Sequence, residues 1–202
     1  MHINTAEFEI SAPDLDTCPE PSLPEFAFIG RSNVGKSSLL NLLAGKRGLA
    51  KVSPTPGHTK LINFFRVNDE WYLVDLPGYG YAKIARENRS KFNAAVSDYL
   101  ANRPTLHCVF VLLDSRLEPQ ALDLEFLAWL VDRSVPLVLV FTKTDDASAT
   151  KIQRNIALFK ERLAEWCETL PEIFTTSAVA RQGRGELLAF IERALAPEPG
   201  AP

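Results

Sequence analysis

The run Gly30-Arg31-Ser32-Asn33-Val34-Gly35-Lys36-Ser37 follows the pattern G-x-x-x-x-G-K-S/T. That spacing serves phosphate chemistry. The glycines let the backbone turn its N–H groups of residues 31–35 inward, and the start of a helix adds positive potential. Lys36 can then reach the β and γ phosphates of a nucleotide, while the Ser37 hydroxyl ligates Mg²⁺ and Ser38 follows in the first turn. On ordinary composition such a match arises by chance in roughly 1% of chains of this length.

Two further clusters complete a nucleotide reading. Asp75-Leu76-Pro77-Gly78 fits D-x-x-G, a weak pattern alone, but Asp75 ends an apolar strand, where an α/β sheet puts its ligand. There Asp75 can hold a Mg²⁺-bound water, and the Gly78 N–H can meet the γ phosphate. Thr142-Lys143-Thr144-Asp145 follows another apolar strand and fits the [N/T]KxD guanine reader. Guanine presents two adjacent N–H donors on one edge, which a fixed carboxylate accepts; adenine presents an acceptor there and is repelled. Asp145 is thus the base-selecting residue, and Lys143 can lay its stem along the base. Thr142 stands where such motifs usually carry Asn. Thr176-Ser177-Ala178, after the last strand, would offer backbone N–H groups to the guanine carbonyl.

Between these motifs, residues 53–60 carry two prolines and a glycine that prevent regular structure, as suits a segment ordered by the γ phosphate. Gly57, His58, Thr59, Lys60 and Leu61 are placed beside the nucleotide, with Thr59 as the second side-chain Mg²⁺ ligand. His58 reads as a solvated loop histidine rather than a catalyst. Lys36, Thr59 and Gly78 are the residues expected to act on the γ phosphate, and Ser37, Thr59 and Asp75 to hold the metal.

Positioning these loops requires alternating strands and helices. Phe26 to Ile29 reads as the strand before the glycine loop, and Leu61 to Val67 with Trp71 to Val74 as a hairpin turning at Asn68-Asp69-Glu70. Cys108 to Leu113, Val135 to Phe141 and Ile173 to Thr176 are further strands. Phe92, Val96, Tyr99 and Leu100 mark one helical face, Leu122 to Val131 and Glu186 to Leu195 read as helices, and Ile152, Ile156, Phe159, Leu163 and Trp166 form a core-facing stripe. Near-continuous apolar strands between amphipathic helices predict a mostly parallel sheet covered on both faces. Residues 1–25 stand apart as an acidic, proline-rich arm with a short strand near Phe8 to Ile10. The nucleotide-binding domain is set at 26–196, with a disordered tail at 197–202.

The 202 residues are 46% apolar and 23% charged, the profile of one globular domain, and exclude disordered and disulfide-framework classes. Cys18, Cys108 and Cys167 read as free thiols in a reducing cytoplasm. No apolar run approaches the ~20 residues of a membrane span, and Glu7 and Glu9 stand where a signal peptide needs positive charge. The formal charge of −3 is unevenly spread. Residues 46–68 hold Lys46, Arg47, Lys51, Lys60 and Arg66 with no acid, and residues 81–103 hold Lys83, Arg86, Arg89, Lys91 and Arg103 against two acids. Together they form a candidate RNA-facing side.

In its ordered motifs the chain resembles the translation-factor-like P-loop GTPases. More closely, Phe26 to Leu39, Pro56 to Thr59, Asp75 to Ala82 and Thr142 to Asp145 resemble the EngB (YihA/YsxC) family of bacterial GTP-binding proteins. The resemblance implies a P-loop NTPase G domain: a three-layer αβα fold with a mixed, mostly parallel sheet of six to seven strands and about five helices. It implies a monomer that binds GTP and GDP with Mg²⁺ and acts in large ribosomal subunit assembly, with a link to normal septation. Asn33 matches a feature of potassium-stimulated GTPases. His58 and Lys60 depart from the more usual Arg and Gln. The position after D-x-x-G, where Ras-type GTPases carry a water-orienting Gln, is Tyr79, which predicts slow intrinsic hydrolysis. Two alternatives stand beside this one: a nucleotide-stabilised scaffold for a division complex, and an ATP-using protein, which Asp145 disfavours.

Overall fold

The computed structural model describes residues 1–50, 61–79 and 86–196, with side chains from residue 94 onward in the last stretch. Among the described residues are seven strands, β1 (Ala6–Ala12), β2 (Glu25–Gly30), β3 (Ile62–Val67), β4 (Trp71–Asp75), β5 (Leu106–Asp114), β6 (Leu137–Thr142) and β7 (Ile173–Thr175). Five helices accompany them, α1 (Lys36–Ala44), α2 (Arg86–Asn102), α3 (Ala121–Asp132), α4 (Ala149–Ala164) and α5 (Arg184–Leu195). The strands form one sheet in the order β1-β3-β4-β2-β5-β6-β7. Strands β4, β2, β5, β6 and β7 run parallel, and β3 is antiparallel to both its neighbours β1 and β4. The expected P-loop G-domain architecture is therefore present.

Alternation along β2 explains the three layers. Phe26 and Phe28 pack toward α1 and α5 with Leu39, Leu40, Leu43, Leu187 and Ile191. Ala27 and Ile29 face the other way, toward Tyr99 and Leu100 of α2, Leu127 and Leu130 of α3, and Ile152, Ile156 and Phe159 of α4. Both faces of the central strands are buried, so those strands read as unbroken apolar runs. At the hairpin, Glu70 N–H closes on the Val67 carbonyl at 3.0 Å, and Asn68 and Asp69 take φ of 51° and 56°. These residue types tolerate that left-handed region.

Three local expectations change. The acidic arm contributes a full edge strand, β1, paired with β3 from Ala6↔Val67 to Ala12↔Ile62. The α4 stripe stops at Leu163: the helix closes with the Cys167 N–H on the Leu163 carbonyl, and Trp166 lies in the turn beyond, 38% exposed. Arg103 is no part of a basic surface. Its guanidinium is buried against the fully buried Glu25 carboxylate at 2.6 Å, and it also donates to the Pro19 carbonyl. Tyr99 and Thr105 hydroxyls complete the Glu25 shell, because a buried carboxylate must be paired and hydrogen-bonded. Residues 197–202 lie outside the described residues.

Candidate functional site

The glycine loop sits at the carboxyl end of β2, between β4 and β5, where the sheet's connectivity reverses direction. Gly30 admits no side chain: a Cβ there would lie 2.8 Å from the Leu112 carbonyl oxygen and 2.9 Å from Val34. Asn33 and Gly35 take φ of 62° and 101°, which turns the chain into α1. That helix begins with no side-chain cap and no acid in its first turn, so its N–H groups remain available to an anion. Lys36, the first helical residue, is buried and ion-paired to the buried Asp75 carboxylate at the end of β4. Two residues 39 positions apart, assigned from separate motifs, thus meet at one point.

Gly78 lies against the same loop, where a Cβ would fall 2.7 Å from the Gly30 carbonyl oxygen. Tyr79 forms a parallel bridge with Arg31. Leu76 is wholly buried in the core, with its N–H on the Phe28 carbonyl at 3.0 Å, so the structure does not bring it to a ligand as expected. Leu61 is 39% exposed before β3. Gly57, His58, Thr59 and Lys60, including the expected second metal ligand, lie outside the described residues, as do residues 80–85.

The base-reading residues converge on the other side of the loop. A cavity of about 230 Å³ is lined by Gly35, Ser38 and Leu39 from the phosphate side and by Thr142, Lys143, Asp145, Thr176 and Ala178 from the base side. Thr142 explains how a hydroxyl serves where an amide is usual: it is buried and lies 2.6 Å from the Val34 carbonyl, to which it donates. Asp145 accepts from the Ser177 hydroxyl at 2.5 Å, and Ser177 accepts in turn from the Ala180 N–H at 2.8 Å. The Thr144 N–H donates to the Thr176 carbonyl, so the two base-side loops are mutually held.

Asp114 and Arg116, at the end of β5, were not singled out from the sequence. Asp114 accepts from Lys143 Nζ at 2.8 Å and from Arg116 through Nε and a terminal nitrogen. Burial works to raise its pKa, but those donors outweigh burial and hold it down at about 2. The signal was present, since Asp114 ends an apolar strand as Asp75 does. Lys46 and Arg47, from the basic stretch 46–68, meet Arg181 and Arg184, before and within α5, at a basic depression of about 660 Å³. The sequence marked only the Lys46 and Arg47 half, because Arg181 and Arg184 are far away in the chain.

A family model described as 50S ribosome-binding GTPase matches residues 25–143. The chain is 49% identical over 192 residues to the probable GTP-binding protein EngB of Porphyromonas gingivalis, covering 95% of this chain and 96% of that one. The chain belongs to the EngB family of GTP-binding proteins. Other members include the Bacteroides fragilis protein, 48% identical over 95% of this chain and 96% of its own, and that of Flavobacterium johnsoniae, 47% identical over 95% and 92%. In fold, it is similar to a crystal structure of a probable EngB protein, with a TM-score of 0.68 at 21% identity over 85% of this chain and 98% of that one. It is likewise similar to Era in complex with MgGDPNP and 16S ribosomal RNA nucleotides, with a TM-score of 0.68 at 23% identity over 89% and 59%. EngB membership and the GTPase domain make the chain a GTPase.

Proposed function

We propose that the chain is a slow GTPase that acts as a nucleotide-dependent switch in large ribosomal subunit assembly in the cytoplasm, with its link to division following from that role. The observation that carries the nucleotide half is the convergence of Gly35, Thr142 and Asp145 on one cavity beside an uncapped helix N-terminus. Phosphates lie along residues 30–38, where the N–H groups and Lys36 meet them, and the guanine edge is read by Asp145, held by Ser177. Of Thr176 to Ala178, the Thr176 N–H donates to the Phe141 carbonyl at 2.7 Å and the Ser177 N–H to the Gln182 carbonyl at 3.2 Å, so the donor to the base carbonyl narrows to the Ala178 N–H.

The donor set fits Mg²⁺. Ser37 and Asp75 are hard oxygen donors, and among the described residues no cluster of three or more His, Cys, Asp or Glu forms an all-protein cage. An ion held by these two, together with the Thr59 hydroxyl, would take its remaining ligands from phosphate and water, as Mg²⁺ prefers. When bound, it supplies charge neutralisation at the phosphates. Lys36 contributes a second positive charge there, and Gly78 an N–H toward the γ phosphate.

Slow turnover follows from Tyr79. Its hydroxyl donates to Asp123 at 2.9 Å and its ring stacks on Phe126, so it is committed to α3 rather than to a water. The large-subunit half rests on the family description and on charge. Lys46, Arg47, Arg181 and Arg184 surround one depression without an acidic residue in its lining, which suits a phosphate-rich partner. Single-turnover hydrolysis by the isolated protein tests this reading. A rate far below that of activator-stimulated GTPases, with GTP binding undisturbed by ATP, is expected; a fast rate or effective ATP competition would contradict it.

A further inference from the structure

One carboxylate outside the nucleotide motifs ties three elements together. Asp123, in the first turn of α3, is buried, and its Oδ1 meets both Arg31 Nε at 3.0 Å and the Tyr79 hydroxyl at 2.9 Å. Arg31 is the second residue of the phosphate loop, and Tyr79 directly follows Gly78. The two are also joined through their backbones by the Arg31↔Tyr79 bridge. On its far side Tyr79 stacks on Phe126 at a centroid distance of 4.4 Å and 27° between planes, and Phe126 lies parallel to Trp129 at 6.2 Å. Tyr79 is therefore fixed by a hydrogen bond, a ring stack and a backbone pairing, although it stands in a loop.

The consequence falls on Gly78. With its neighbour pinned, and with its own Cα packed so closely on the Gly30 carbonyl that no Cβ fits, Gly78 is held at the phosphate loop. We infer that Asp123 is a positioning residue for γ phosphate recognition: through Arg31 and Tyr79 it presets the Gly78 N–H, and so contributes to the affinity for GTP and not to that for GDP. This rests on the nucleotide reading proposed above. Presetting lowers the ordering cost of a contact that only the triphosphate makes. A merely structural role for Asp123 would weaken both nucleotides together.

Tyr79→Phe is the mild test, since it keeps the ring on Phe126 and removes only the hydroxyl. Asp123→Asn is the second variant, and its melting temperature reports whether the fold survives. Affinities for GDP and for a non-hydrolysable GTP analogue are measured by calorimetry on the full chain with Mg²⁺. The expected result for Tyr79→Phe is an analogue affinity lower by about tenfold, the usual scale of one hydrogen bond to a charged group, with GDP affinity within about twofold of native. Asp123→Asn should shift the same ratio in the same direction. Parallel losses for both nucleotides, unchanged affinities, or a loss confined to GDP would overturn the inference. A native protein that binds neither nucleotide would instead overturn the nucleotide reading beneath it.

Discussion

The Thr142 hydroxyl donates to the Val34 carbonyl, 2.6 Å away across 108 positions of sequence, and so joins the base-reading loop to the phosphate loop. Leu113 offers a second carbonyl at 3.1 Å, but a hydroxyl has one proton, and the shorter contact takes it. The two halves of the nucleotide site are therefore mechanically one piece.

Thr142→Val tests that link. It keeps the shape and removes the donor, leaving a buried carbonyl short of a partner, which costs about 1–3 kcal/mol. Guanine nucleotide affinity should fall by roughly tenfold, measured by calorimetry, with a smaller loss in melting temperature. Unaltered affinity would show that the two loops hold their places independently.

Arg103→Ala separates fold from function. It strands the buried Glu25 carboxylate, and removing one partner of a buried ion pair costs about 3–5 kcal/mol. Urea denaturation should register that loss, while nucleotide affinity in the surviving folded fraction stays near native. A stable variant with weakened RNA binding would return Arg103 to the basic surface.

Asp114 makes an acid-side prediction. Its pKa is lowered to about 2 in the folded protein, below the roughly 3.9 of an unfolded aspartate. Its contribution to stability is thus fully present above pH ~4 and lost as pH falls toward 2. Melting temperatures measured between pH 5 and 2 should drop more steeply in the native chain than in Asp114→Asn. Parallel curves would mean that the bonds from Lys143 and Arg116 do not set its ionisation.

Asn33 stands exposed at the turn of the phosphate loop with a φ of 62°. If it helps hold a monovalent cation there, GTP hydrolysis should run severalfold faster in potassium than in sodium buffer, and Asn33→Ala should erase the difference. Equal rates in both salts would remove potassium from the mechanism.

Much of this was legible in the residues themselves. The strand-loop-helix at Gly30 and the hairpin at Asn68 were readable because glycine, lysine and turn residues each have one local use at those spacings. The Thr142 to Asp145 loop was marked by its own residue types. What stayed hidden were relations between distant segments. Asp123 resembles an ordinary first-turn acid of α3 until Arg31 and Tyr79 are brought onto it. Arg103 resembled one more cation in a basic stretch, because nothing local reveals Glu25 beneath it. Trp166 continued the spacing of the α4 stripe, but periodicity carries no mark for where a helix closes.

The most direct test of the switch is co-sedimentation of the chain with large ribosomal subunits in GTP analogue and in GDP, for the native protein, Lys36→Ala and Asp145→Asn. The account predicts that native protein pellets with subunits in the GTP analogue and not in GDP, and that both variants fail to do so. Equal pelleting in both nucleotides, or undiminished pelleting of the variants, would contradict it.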